Sequence, residues 1–218
     1  MKKRVTRFDR ETQKTEFRVA IFGSARIKKN DPAYKSIYAL AKMIGSRDID
    51  IVTGGGPGLM EAASEGHAAA HKGKGHSLGL LIKLPEKQRE SNHLNIKREF
   101  HRFSERLDTF MQLSNAVVVA PGGLGTLLEF FYAWQLIQVR QICDIPLILL
   151  GDHYQELIAW IKKGPLKHRY MEKQDMKSLF LAKTPQEAMH IIEQAHVQFK
   201  RDGKNICLNI KKYRPTIF

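Results

Sequence analysis

Residues 116–120 read Ala-Val-Val-Val-Ala and stop at Pro121-Gly122-Gly123. An unbroken apolar run of this length suits a strand buried on both faces, and such a strand needs helices above and below it. The rest of the chain supplies them. Largely apolar runs at 18–22, 49–53, 77–82, 146–150 and 179–182 have strand length, and the more polar stretch 96–100 is a further strand candidate. Between them lie stretches of helical period at 32–47, from Gly58 to about His71, and at 104–113, 125–139, 154–163 and 184–199. In the first, Tyr34, Ile37, Tyr38, Leu40, Ala41 and Ile44 fall on one face. Thr184, Pro185 and Glu187 form a start signal for the last helix. Strand and helix in alternation predict an α/β fold: a Rossmann-like, doubly wound, mainly parallel sheet flanked by helices on both faces. Ligands of such sheets lie at the carboxyl ends of the strands.

Two glycine clusters fall at that edge. Gly54, Gly55, Gly56 and Gly58 follow the second strand, and Gly122, Gly123 and Gly125 follow the run at 116–120. A glycine loop running into a helix start lets backbone N–H groups approach an anion, and the helix dipole favours a phosphate there. Thr126 adds a hydroxyl donor. One cluster alone is as well explained by a tight turn; two at neighbouring strand ends favour a phosphate site. The first strand-to-helix turn, Gly23-Ser24-Ala25-Arg26, lacks the dinucleotide fingerprint, the second strand ends in Thr53 and not in an acidic residue, and no G-x-x-x-x-G-K-[ST] is present. NAD binding and ATP hydrolysis both lose ground.

Composition sets the remaining bounds. The 218 residues are 43% hydrophobic and 27% charged, a balance suited to one globular core. The formal net charge of +14, from 36 Lys and Arg against 22 Asp and Glu, raises nucleic acid as a partner. The excess is spread along the chain without a run of five or six basic residues, which favours steering of a small anion over nucleic-acid binding. Lys2, Lys3 and Arg4 are followed by no apolar stretch of signal-peptide length, and nothing approaches a membrane span. Cys143 and Cys207 stand far apart with no C-x-x-C pattern, and neither is marked as a nucleophile. A cytoplasmic location, no membrane contact and no metal site are expected. His67 and His71 have the four-residue spacing of a zinc pair but lack the H-E-x-x-H glutamate, and a solvated helix face is the better reading.

Pro121 to Glu129, PGGLGTLLE, resembles the PGGxGTxxE signature of the Lonely-guy (LOG) family, formerly labelled lysine decarboxylase-like. Gly54 to Ala63, GGGPGLMEAA, resembles that family's other glycine motif; Phe22 to Arg26, FGSAR, resembles the loop after its first strand. Arg106 lies where the family places its motif arginine. The resemblance covers roughly residues 17–199. It divides the chain into a basic N-terminal tail at 1–16, a LOG-like nucleotide-binding domain at 17–199 and a C-terminal extension at 200–218, where 206–210 has the pattern of one more strand.

What the resemblance implies is a phosphoribohydrolase that cuts the N-glycosidic bond of a nucleoside 5′-monophosphate, works as a homodimer and uses no metal and no organic cofactor. Glu129 and Arg106 are then the catalytic residues. Gly23, Ser24, Gly54, Gly55, Gly56, Gly122, Gly123, Gly125 and Thr126 bind the nucleotide and its phosphate. The chemistry agrees. Breaking this bond builds positive charge on the ribose ring, which a carboxylate stabilises as in glycoside hydrolysis. A guanidinium stays protonated and binds phosphate or hydroxyl oxygens or assists the leaving base. Outside the motif, Glu129 would read as a solvated helix charge, and Arg106 as a surface cation or a partner of Glu105 or Asp108.

Two positions depart from the family: Leu107 stands where a lysine is common, and Tyr132 where a second glutamate is common. A binding protein or carrier for a phosphorylated nucleotide or cofactor is therefore the competing reading. Residues 83–95 are the candidate lining of the base pocket, and no residue in them selects a base. The helix face bearing Phe130, Phe131, Trp134 and Ile137 reads as core, with part of it available to a dimer contact. A lysine decarboxylase would need a pyridoxal phosphate scaffold, and no lysine here stands out as its Schiff-base residue.

Overall fold

The computed structural model describes residues 6–70, 73, 75–85 and 89–202. Seven strands, β1 (Arg18–Phe22), β2 (Asp50–Thr53), β3 (Ser77–Ile82), β4 (Ile96–Phe100), β5 (Ala116–Val119), β6 (Leu147–Leu150) and β7 (Leu179–Ala182), form one sheet in the order β4-β3-β2-β1-β5-β6-β7. Every neighbouring pair is parallel. The order reverses at β1, so the topological switch point, where open α/β sheets bind ligands, lies between β1 and β5.

The pleat explains why the central strands are largely apolar on both faces, whereas the edge strand β4 exposes Lys97, Arg98 and Glu99. Ala20, Phe22, Val52, Leu78, Leu80, Val117 and Val119 join one buried cluster, and Val19, Ile21, Ile51, Ala116 and Val118 join the other. Helices α4 (Phe103–Leu113), α5 (Leu124–Gln138) and α6 (Tyr154–Ile161) complete the first cluster; α2 (Pro32–Gly45), α3 (Leu59–Ala68) and α7 (Pro185–Asp202) complete the second.

The helix ends follow local signals. Asp31 caps α2 by accepting from the Ala33 N–H at 2.8 Å, with Pro32 in the first turn. Before α7, the Thr184 hydroxyl accepts from the Glu187 N–H at 3.2 Å and the Glu187 carboxylate accepts from the Lys183 N–H at 2.8 Å. Most element bounds fall within a few residues of the sequence reading, and two differences have a local cause or bear on the site. Helix α3 ends at Ala68, and α6 gives way after Ile161 to a widened π turn over Lys162–Leu166, where Gly164 and Pro165 disrupt regular helical bonding.

Sequence periodicity does not reveal α1 (Arg7–Thr12), a short helix within the N-terminal tail. A reciprocal Thr6–Asp9 capping box starts it, and Phe8 is buried beneath the Arg98 guanidinium. The helix beginning at Pro185 runs on to Asp202; the strand pattern at 206–210 and Cys207 lie outside the described residues. No helix among the described residues is long and apolar enough to cross a membrane.

Candidate active site

Three loops meet at the carboxyl edge beside the switch point. The Ser24 N–H donates to the Pro121 carbonyl at 3.0 Å, and the Ser24 carbonyl accepts from the Leu59 N–H at 2.9 Å. One residue of the β1 loop thus fastens both glycine loops. The Ser24 hydroxyl accepts from the Arg26 N–H at 3.1 Å. Gly23 lets α3 approach, because a side-chain carbon there would sit 2.9 Å from Leu59 Cβ.

The second loop, 54–58, is tied to the segment that follows β3: the Ser91 N–H donates to the Gly55 carbonyl at 2.9 Å. The Ser64 and Ser91 hydroxyls are 2.6 Å apart, and Arg89 pairs with the buried Glu61. Residues 83–85 and 89–95 of the expected base-pocket segment therefore border this loop and α3; residues 86–88 lie outside the described set. Gly55 and Gly56 are buried in the turn, and the Gly55 N–H is bonded to the Thr53 hydroxyl.

The third loop opens α5. Gly123 is the residue before its first turn, and no side chain caps the helix. The first N–H groups of a helix lack intrahelical partners, so those of Leu124, Gly125 and Thr126 define an anion-binding edge. A side-chain carbon added at Gly123 or Gly125 would meet nothing within 4 Å, and neither backbone is left-handed. Packing and backbone conformation therefore do not require glycine at these positions; their absent side chains leave the helix start open. Gly122 differs, since a carbon there would lie 2.1 Å from Thr126 Oγ1. Thr126 is buried beneath that turn.

Arg106 and Glu129 meet at this edge, joining α4 to α5. Arg106 is 8% exposed. Its Nε donates to the Leu80 carbonyl of β3 at 2.6 Å, Nη1 lies 3.5 Å from Glu129 Oε1, and its guanidinium carbon is 5.3 Å from the Phe110 ring centre. Neither alternative holds: Arg106 is buried and so is no surface cation, and it pairs with Glu129 and not with Glu105 or Asp108. The Glu129 side chain is 13% exposed and is not a solvated helix charge.

Burial dominates the electrostatics of this pair. Desolvation raises the Glu129 carboxyl to about 7, against a smaller opposing pull from Arg106. Desolvation also lowers Arg106, partly offset by Glu129. A guanidinium starts high enough to remain charged at neutral pH.

Gly54 makes room for this arginine. A side-chain carbon there would lie 2.3 Å from Arg106 Nη2 and 2.7 Å from Met60 Sδ. Gly54→Ala is expected to displace the guanidinium and lower kcat/KM for a cleavable substrate by about a hundredfold, the scale of an ångström-sized misplacement. Circular dichroism should show the fold retained. Wild-type kinetics in that variant would show that the Gly54 contact does not matter.

The two departures from the family pattern have distinct surroundings. Leu107 is 6% exposed and belongs to the core. The Tyr132 hydroxyl donates to Asp108 Oδ1, linking α5 back to α4. Sequence alone does not reveal this contact, which engages the Asp108 carboxylate with α5 and not with Arg106. The expected aromatic face divides: Phe130, Trp134 and Ile137 are buried, whereas Phe131 is 40% exposed. His67 is fully buried with Nε2 2.8 Å from the Ile49 carbonyl, which overturns its reading as a solvated helix residue. His71 lies outside the described residues.

A hollow of about 630 Å³ lies near the opposite end of the strands, with Cys143, Pro146, Ser178 and Gln194 in its lining. It contains neither glycine loop and neither member of the Arg106–Glu129 pair. The converging helix start and buried ion pair, and not cavity size, mark the candidate active site.

Comparison with known proteins places the chain in a family. Residues 60–192 match the family described as "Possible lysine decarboxylase". A cytokinin riboside 5′-monophosphate phosphoribohydrolase from Arabidopsis thaliana is 27% identical over 206 residues, covering 92% of this chain and 93% of that protein. A pyrimidine/purine nucleotide 5′-monophosphate nucleosidase from Escherichia coli is 28% identical over 143 residues, or 61% of this chain; the match spans only 30% of that longer relative.

Among solved structures, the molybdenum cofactor binding protein of Rippkaea orientalis superposes with a TM-score of 0.63 at 23% identity, covering 82% of this chain and 96% of the other. The molybdenum cofactor carrier protein of Chlamydomonas reinhardtii gives 0.60 at 20% identity, with coverages of 84% and 99%. At these identities the likeness concerns the Rossmann-like fold. The matched family, the strand order and the two glycine loops agree: the chain belongs to the Lonely-guy family.

Proposed function

We propose that the protein hydrolyses the N-glycosidic bond of a nucleoside 5′-monophosphate, releasing free base and ribose 5-phosphate. The observation that carries this reading is the buried Arg106–Glu129 pair beside the uncapped start of α5. The phosphate sits at the N–H groups of Leu124, Gly125 and Thr126, with the open faces of Gly123 and Gly125 admitting it. Glu129 lies four positions after Gly125, a rise of about 6 Å along the helix. That is the span of a ribose, and it brings the carboxylate to the anomeric carbon.

As the bond to the base lengthens, positive charge grows on the ring and the Glu129 carboxylate stabilises it or orients the attacking water. Arg106 remains protonated, binds hydroxyl oxygens or assists the departing base, and favours the ionised form of Glu129. The names of the Arabidopsis and E. coli relatives, both acting on nucleotide monophosphates, support this reaction class. Leu124, Leu128 and Phe131 form an exposed stripe along α5 at i, i+4 and i+7, a surface suited to a second copy in the homodimer.

The ionised form of Glu129 is the active one in this scheme. Its value of about 7 gives kcat/KM an acid limb that rises with pH up to about 7 and levels above it. A rate profile between pH 5 and 9 checks this. A flat profile across that range would remove Glu129 ionisation from the mechanism.

The reaction itself is tested with AMP, GMP, CMP, UMP, IMP and an isoprenoid-adenine nucleotide, following free base by chromatography in wild type, Glu129→Ala and Arg106→Ala. Release from at least one nucleotide, lost in the folded variants, supports the hydrolase. Binding without release would favour the carrier reading, in which Leu107 and Tyr132 mark a site repurposed for holding a nucleotide or cofactor.

A further inference from the structure

A second charged cluster lies at the opposite end of the strands. Arg18 opens β1, Asp50 opens β2 in register with it, and His76 immediately precedes β3. Helix α1 and the link after it bring Glu11 and Glu16 to the same place. Arg18, 1% exposed, donates from Nε to Asp50 Oδ2 and from Nη2 to Glu16 Oε2, both at 3.2 Å, and from Nη2 to the Glu11 carbonyl at 3.0 Å. Lys14 Nζ donates to Glu11 Oε2 at 2.8 Å, and the His76 N–H donates to Asp50 Oδ1 at 2.8 Å.

These contacts leave Glu11 Oε1 and His76 Nδ1 buried without a hydrogen-bond partner among the described residues. They face each other at 3.4 Å, and Nδ1 is 3.8 Å from Asp50 Oδ1. The Glu11 side chain is only 7% exposed, so water does not readily replace the missing partner. Two such atoms facing each other are satisfied either by a proton on the imidazole or by a metal ion between them, and their separation suits the ion. Ligands about 2.1 Å from a tetrahedral metal stand roughly 3.4 Å apart, close to the separation of these two.

We propose that Glu11, Glu16, Asp50 and His76 form a binding site for a divalent transition-metal ion of the zinc class. One ligand atom from each of the four lies within 4.8 Å of the others. An imidazole nitrogen with carboxylate oxygens suits zinc and its neighbours better than magnesium or calcium. His76, with a side chain 22% exposed, opens the site to solvent. The ion ties α1 to the starts of three strands. It stands apart from the glycine loops and takes no part in glycosidic cleavage.

The test is calorimetric titration of zinc chloride into the full chain after treatment with chelator, with His76→Gln, Glu16→Gln and the control His190→Gln alongside. Wild type and the control should take up one zinc ion per chain, with a melting temperature raised by about 5 °C or more at saturation. His76→Gln and Glu16→Gln should each weaken binding at least about tenfold. The Glu16 variant carries the test if the histidine variant does not fold. Absence of stoichiometric binding to the wild type, or binding that neither folded ligand variant weakens, overturns the site.

Discussion

Glu129→Gln is expected to lower kcat for nucleotide cleavage on the order of a thousandfold while making the folded protein more stable at pH 8. Glutamine keeps the size of the side chain and removes its charge. Folding raises the Glu129 carboxyl from its ordinary 4.5 to about 7 even with Arg106 beside it, so ionising it costs the native state more than the unfolded chain. Below about pH 4.5 the carboxyl is protonated in both states and the penalty is absent. It grows through the window from about 4.5 to about 7 and is complete above. The full difference is roughly 3 kcal/mol, and the variant should recover about 1–3 kcal/mol of it at pH 8, with little gain at pH 4. Urea denaturation at both pH values checks the sign. A variant less stable than wild type at pH 8 would show that Arg106 repays the burial of the carboxylate.

The second large effect is structural. Gly58 stands before the first turn of α3 with φ 68° and ψ −130°, a conformation unfavourable to residues bearing a side chain. An added side-chain carbon would also lie 2.3 Å from the Ser24 carbonyl oxygen and 2.7 Å from the Ala25 carbonyl carbon, both backbone atoms with little freedom to move. Gly58→Ala is expected to cost about 4 kcal/mol, combining backbone strain of about 1–3 kcal/mol with an overpacking cost of similar size. That is a large share of the roughly 5–15 kcal/mol typical of a domain. Ser24 also fastens the loop at Pro121, so nucleotide affinity should fall with stability. A melting temperature within about 2 °C of wild type would contradict this account of the loop junction.

The fold was legible because burial on both faces leaves a plain record. Strands such as β1 and β3 appear as short, mainly apolar stretches, each opened by a polar residue, with bounds matching the observed ones, and helices such as α2 carry apolar residues at helical spacing. Helix α1 escaped because six residues with Phe8 as their one large apolar anchor give no period to read. Its capping pair, Thr6 and Asp9, was the available signal. The change after Ile161 has a local signal in Gly164 and Pro165, but their effect on helical bonding depends on the surrounding chain.

The candidate site was legible in part. The second glycine cluster and Glu129 share one helix start, so motif and spacing place them together. The contact of Arg106 with Glu129 joins two helices 23 positions apart, and its anchor on Leu80 is a backbone carbonyl that no side-chain motif can signal. Tyr132 was visible as a departure from the family, but its bond to Asp108 depends on how α4 and α5 pack.

The most direct test of the central claim is a phosphorus and proton NMR time course of one cleaved nucleoside monophosphate with the wild-type chain. The account requires free base and ribose 5-phosphate to appear in a one-to-one ratio without inorganic phosphate. A nucleotide panel that binds but stays intact, or one that yields inorganic phosphate and nucleoside, would contradict it.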